Sequence, residues 1–193
     1  KSTYEFVSFV DDDNWVCSDW VFRVAEVMSL HPDAGACGGE IEPAFEVAPP
    51  TWFDRYKENY AIGAQAEAGG DVTDDRGYLW GAGLTIRKSA YQGLLAGGFS
   101  SILTGREGGT LAAGEDAELC LALRLAGWRL WYDPCLLMFH YVPAARLTWS
   151  YLCRVVRGFG SSSVGLDCYL QSYSDQPVQF LRWLRRSWWC QAL

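Results

Sequence analysis

Long apolar runs are missing from this chain. No stretch of eighteen or more apolar residues escapes interruption by charge or turn residues, so no membrane-spanning segment is expected. No secretory leader is read either, because Lys1-Ser2-Thr3-Tyr4-Glu5 leads into no apolar segment that ends at a small-residue cleavage site. Histidine is scarce, with two in 193 residues, and no Cys-x-x-Cys pair occurs, which argues against a structural zinc site. The seven cysteines, at 17, 37, 120, 135, 153, 168 and 190, are odd in number and scattered, so a disulfide framework is not expected. Reduced thiols in a cytosolic protein are the simpler expectation, most of them small core residues. The chain does not open with Met and enters a strand almost at once, as expected of a fragment of something longer.

Half the residues are hydrophobic, and 193 residues fit one domain with ample material for a core. The net charge of −7 is unevenly spread: residues 1–119 carry 20 acids against 8 bases, whereas residues 120–193 carry 3 acids against 8 arginines. The acidic part would repel phosphates, so nucleic acid is not an expected partner. The arginine-rich end suits a diphosphate ligand or an anionic membrane face.

Tyr4–Val10 is aromatic and β-branched with near alternation, which predicts a strand ending in Asp11-Asp12-Asp13-Asn14. Residues 18–30 carry Trp20, Val21, Val24, Val27 and Met28 on one helical face, with Ser18 or Asp19 as N-cap and His31-Pro32 as the stop. A buried strand is expected over 34–41, a helix over 51–61 and a surface loop over 63–77. A third strand is expected over 79–86 and a short helix from Ser89. A strong helix over 115–126 is closed by Gly127, two short strands follow at 128–132 and 135–140, and a helix spans 143–157. Alternating strands and helices predict an α/β fold with a mostly parallel mixed sheet and flanking helices. Ligands of such sheets sit beyond the carboxyl ends of strands, where the acidic cluster falls.

Three constellations carry chemistry. Asp11 and Asp13, one residue apart at a strand end, can share a hard cation, because Mg²⁺ and Mn²⁺ prefer oxygen ligands and leave room for substrate phosphates. The bland reading is a solvated acidic turn that complements the next helix dipole. A calcium loop would need glycine where Val16 stands, and a phosphatase-type nucleophile motif would need Thr or Val where Trp15 stands. Glu115 and Asp116 open a helix behind a glycine-rich loop, where a carboxylate can complement the dipole or take a proton from a sugar hydroxyl. His140 ends an apolar strand, as the acidic cluster does, and reads either as a structural residue or as a ligand.

The ordered set Val10-Asp11-Asp12-Asp13, Trp80-Gly81-Ala82-Gly83 with Arg87-Lys88-Ser89, Gly114-Glu115-Asp116-Ala117-Glu118-Leu119 running to Trp128, then His140, resembles glycosyltransferase family two over residues 4 to about 158. The resemblance implies a GT-A (Rossmann-like) fold and inverting, metal-dependent transfer from a nucleoside-diphospho-sugar to an acceptor hydroxyl on a glycan or lipid-linked acceptor. It implies that Asp116 is the catalytic base, with Glu115 beside it. Asp13 would bind Mg²⁺ or Mn²⁺, Asp11 would lie nearer the nucleotide with Asp12 beside it, His140 would approach the metal or diphosphate, and Trp80 and Gly81 would form the acceptor-side wall. That family places its nucleotide-binding strand–helix repeats before the D-x-D strand, and only ten residues precede Asp11 here, so an N-terminally truncated domain is expected. The organisation is then a partial GT-A domain over 1–158 and a helical extension over 159–193.

Two rivals stand beside this reading: a truncated transferase domain that binds glycan or a partner without turnover, and a metal-dependent phosphotransferase using Asp11 as nucleophile. In residues 178–193, Phe180, Leu181, Leu184 and Trp188 form an apolar stripe flanked by Arg182, Arg185 and Arg186. Such a helix either packs on the domain or lies in a headgroup layer, which would put the protein in the cytoplasm at the inner membrane face.

Overall fold

The computed structural model describes residues 3–103 and 114–172. Its elements are β1 (Phe6–Ser8), β2 (Asn14–Val16), α1 (Trp20–Leu30), β3 (Ala34–Phe45), α2 (Phe53–Tyr56), β4 (Gly70–Asp71), β5 (Thr85–Arg87), α3 (Lys88–Ala96), α4 (Glu115–Leu125), β6 (Arg129–Val142) and α5 (Trp149–Ser172). Short 3₁₀ turns cover Lys57–Tyr60 and Ala144–Arg146. The fold is α/β, with one mixed sheet in the order β1-β5-β3-β6-β2 and β4 added on β6.

The expected predominance of parallel pairing is corrected. Among the described residues, only β3 and β6 pair in parallel; β1–β5, β3–β5, β2–β6 and β4–β6 are antiparallel. A parallel neighbour needs a crossover that carries the chain back to the same end of the sheet. Helices lie between β3 and β6, but they also lie between β1 and β5 and between β2 and β6, which pair antiparallel, so a helix in the connection does not by itself set strand direction. Periodicity locates strands; where their connections run sets their direction.

Helices cover both faces of the sheet. Trp20, Val24, Val27 and Met28 of α1 recur at helical spacing and join Cys37, Ile41, Met138 and Leu152 in one core cluster. Ala90 and Leu94 of α3 and Cys120 and Leu123 of α4 join Ala36, Ile86 and Leu130 in the other. Neighbours Ala36 and Cys37 thus serve opposite faces, as the pleat requires. Burying each large aliphatic side chain contributes roughly 1.5–3 kcal/mol.

Several expected boundaries shift for physical reasons. The strand expected over 79–86 shortens to β5 because the main-chain donors before it bond elsewhere. Trp80 N–H donates to Gln65 Oε1 (2.7 Å), Gly81 N–H to Asp116 Oδ2 (2.7 Å) and Gly83 N–H to the Phe9 carbonyl (2.9 Å). The stretch expected as a surface loop buries Gln65, Val72 and Thr73. The expected helix over 51–61 divides into α2 and a 3₁₀ turn, and the one expected from Pro143 begins at Trp149. The boundary placed at residue 158 falls inside α5, which is continuous to Ser172.

The two strands expected at 128–132 and 135–140 are one, β6, with an irregularity: Gly39 faces Asp133 while the next residue, Glu40, faces Leu137. The inserted residues bring the Leu136 carbonyl against Gly39, where a Cβ would overlap that oxygen. Gly39→Ala is therefore expected to lower the urea midpoint of unfolding sharply, by the equivalent of about 3 kcal/mol or more, or to prevent folding. An unchanged midpoint would mean that the bulge relaxes freely.

Candidate functional site

β1 and β3 both run antiparallel to β5, and β3 runs parallel to β6, so β1, β3 and β6 point the same way. The turn after β1, the end of β6 and the segment entering β5 consequently share one end of the sheet. Two clusters of side chains are built there.

The first surrounds Asp13. Its carbonyl accepts the Tyr141 N–H (2.9 Å), and Asn14 stands opposite His140 in the β2–β6 register, which fixes the acidic turn against the end of β6. Arg146 Nη1 donates to Asp13 Oδ2 at 2.8 Å, and His140 Nε2 lies 3.7 Å from the same oxygen. His140 Nδ1 is 3.0 Å from the Tyr60 carbonyl, an atom that can only accept, so Nδ1 carries the proton and Nε2 an open lone pair. That lone pair faces Arg146 Nη1 at 3.4 Å. Burial pushes His140 below its ordinary pKa, against the opposing pull of Asp13, so the ring is neutral near pH 7. Tyr60 acts twice, because its hydroxyl donates to the Arg146 carbonyl at 3.1 Å. The chain turns out of Tyr60 through Ala61, a left-handed residue at φ 52°. Asp11 and Asp12 are exposed, and the charge of Asp11 acts on His140 more weakly than that of Asp13.

The second cluster surrounds Asp116 in the first turn of α4. Gly114 precedes it at φ 119°, a conformation that suits glycine, and presents the start of the helix to the segment 79–84. Asp116 Oδ2 accepts the Gly81 N–H at 2.7 Å and Oδ1 accepts the Ala117 N–H at 2.8 Å. Burial holds its carboxyl above the ordinary carboxylate range; the two main-chain donors oppose that rise, and neighbouring Glu115, which is exposed, adds to it. Trp80 is 7% exposed with the Arg76 guanidinium over its ring at 4.5 Å, so it faces the core and contributes through its main chain. The two clusters are tied by the main chain, since Phe9 N–H donates to the Leu84 carbonyl and Gly83 N–H to that of Phe9, both at 2.9 Å.

Among the described residues, no group of three or more His, Cys, Asp or Glu side chains is placed to hold a metal ion. Asp13 and His140 come together, with Asp11 nearby, while Asp12 and Glu115 point to solvent. Sequence reasoning missed Arg146, Tyr60 and Gln65. Gln65 clamps the segment by donating to the Gly39 carbonyl (2.8 Å) while accepting from Trp80. Glu118, also in the first turn of α4, is fully buried and accepts from Ser101, Ile102, Leu103 and Tyr169.

Comparison of the chain with protein-family models and with curated proteins gives no match. No helix among the described residues is long and apolar enough to cross a membrane.

Proposed function

We propose that this chain carries the acceptor-side catalytic part of an inverting, metal-dependent GT-A glycosyltransferase that moves a sugar from a nucleoside-diphospho-sugar to an acceptor hydroxyl. The observation that carries it is Asp116: a half-buried carboxylate, fixed through both oxygens, on the same end of the sheet as Asp13 and His140. A sugar hydroxyl needs a positioned base, and a carboxylate raised toward neutrality serves best.

What supports a divalent cation is a pair of donors rather than a complete ligand set. One carboxylate oxygen and one unprotonated imidazole nitrogen lie 3.7 Å apart, and Mg²⁺ or Mn²⁺ fills its remaining positions with water and phosphate oxygens. Asp13 and His140 would hold the cation, which when bound neutralises charge on a departing diphosphate. The Tyr60 carbonyl keeps the His140 proton on Nδ1. Asp11 and Asp12 would face the nucleotide. The Gly81 and Ala117 N–H groups hold Asp116 so that it takes the acceptor proton as the hydroxyl attacks the anomeric carbon, and a single displacement inverts configuration.

β1 pairs only with β5 among the described residues, and its free edge is where nucleotide-binding strands of a GT-A sheet would join. The Asp13–Arg146 pair favours a second reading, a domain that holds glycan or a partner without turnover. The experiment that separates the two is thermal unfolding of the full-length protein with nucleoside diphosphate, with and without Mn²⁺. The transferase reading expects a joint stabilisation larger than either ligand gives alone; no stabilisation by the pair favours the second.

Residues 178–193 lie outside the described residues. The proposal that they attach the enzyme to the cytoplasmic face of a membrane, within reach of lipid-linked acceptors, predicts salt-sensitive co-sedimentation with anionic liposomes that is lost on deleting them. Equal sedimentation of both forms would remove the anchor.

A further inference from the structure

The position between Asp13 and His140 already contains a cationic group. Arg146 Nη1 lies 2.8 Å from Asp13 Oδ2 and 3.4 Å from His140 Nε2, so one guanidinium nitrogen sits against both atoms that would ligate a metal. We propose that Arg146 is the resident counter-ion of Asp13 and that a divalent cation enters only by displacing it. This rests on the transferase reading, in which Asp13 and His140 hold the cation.

Three features make displacement workable. A guanidinium cannot discharge itself by losing a proton, so it must move to clear the site. The main chain of Arg146 stays fixed while it does so: its carbonyl accepts the Tyr60 hydroxyl at 3.1 Å and its N–H donates to the Pro143 carbonyl at 2.9 Å. Its side chain is 29% exposed and that of Asp13 22%, so the guanidinium has a path to solvent and the pair is not locked in a dry core. Like charges exclude each other from one carboxylate, so Arg146 and the cation compete for Asp13. A displaced guanidinium at this place is suited to phosphate oxygens, which it can bind through paired N–H groups. The site is then expected to bind a cation weakly alone and better with a diphosphate, which takes over the charge of Asp13 as partner of Arg146. Metal and donor would load together, and the empty site would keep its acid neutralised.

The test measures Mn²⁺ binding directly, by loss of the free-ion electron paramagnetic resonance signal, and needs no turnover. Arg146→Gln is expected to tighten Mn²⁺ binding about tenfold, the scale of one competing charge pair of intermediate exposure. Arg146→Lys, which keeps the charge, stays within about threefold of the original, and Asp13→Asn removes binding in either background. Inorganic pyrophosphate strengthens Mn²⁺ binding less in Arg146→Gln than in the original protein. If Arg146→Gln binds Mn²⁺ no tighter than the original while Asp13→Asn still abolishes binding, competition is refuted and the cation site stands. Equal tightening by Gln and Lys also refutes it, because charge would not be the cause. Absence of Mn²⁺ binding in the original protein and in a folded Arg146→Gln variant overturns both the competition and the metal-dependent reading.

Discussion

If the chain is the proposed transferase, Asp116→Asn is expected to lower turnover of the full-length protein by about 10²–10⁴-fold, the share a general base contributes, with little change in donor binding. Asn keeps the shape and loses the basicity. The Asn carbonyl can still accept from the Gly81 N–H, which keeps α4 and the segment 79–84 registered, while its amide nitrogen gives up the bond from the Ala117 N–H. The pH profile carries a second expectation. Burial raises the Asp116 carboxyl above its ordinary value, and only the ionised form can take a proton. Activity therefore falls on the acid side at a higher pH than an unperturbed carboxylate would give, and Asp116→Asn erases that limb. The stability consequence has the opposite sense. A group raised in the folded state contributes stability that is complete below its unfolded pKa and lost as pH rises through the folded value, so ionised Asp116 is a cost to the fold near neutrality. Near-normal turnover with an unaltered acid limb in Asp116→Asn would move the base elsewhere, Glu115 being the adjacent choice.

Glu118→Ala destabilises the protein by about 3 kcal/mol, a fall in melting temperature of roughly 6–12 °C for a domain of this size. Glu118 is fully buried, and its oxygens accept from the Ile102 N–H (2.8 Å), the Tyr169 hydroxyl (2.8 Å), the Ser101 hydroxyl (2.5 Å) and the Leu103 N–H (3.1 Å). Truncation removes the shared acceptor of donors from a loop and from α5. Because those partners lie near the surface, water can reach some of them, which keeps the cost below that of a deep core network. Burial alone would raise the Glu118 carboxyl; the four donors outweigh it and the net shift is downward. Its contribution is present above the ordinary glutamate pKa and is lost as pH falls through the depressed value, opposite in sign to Asp116. Chemical denaturation across the acid range separates the two. A Glu118→Ala protein as stable as the original would mean that the loop and α5 dock without this carboxylate.

The helices were largely legible, because α1 and α4 carry their apolar residues at helical spacing and end at His31 and Gly127. Strand direction was not, since periodicity carries no sign and the antiparallel entry of β5 depends on where its connections run. The segment before β5 looked like a strand by composition, yet its N–H groups are taken by the side chains of Gln65 and Asp116, partners distant in sequence. Of the candidate residues, Asp13 and His140 come together and Asp116 is fixed in a separate cluster, while Asp11, Asp12 and Glu115 are exposed. Arg146 and Tyr60 were not legible, because their roles arise from one carbonyl, one hydroxyl and one guanidinium meeting at the end of β6. Nothing in the residue types announces such a meeting. The continuity of α5 through residue 158 was likewise hidden by glycines 158, 160 and 165, which lower helix propensity without ending the helix.

Product stereochemistry tests most directly whether transfer runs by single displacement, with Asp116 as base and a cation at Asp13. Full-length protein is incubated with Mn²⁺, an acceptor and a set of nucleoside-diphospho-sugars, and the anomeric configuration of newly transferred sugar is read by proton NMR before it equilibrates. Single displacement gives the configuration opposite to that of the donor, and metal dependence means that transfer stops on adding a chelator. Retained configuration, or transfer undiminished by the chelator, contradicts the proposed transfer.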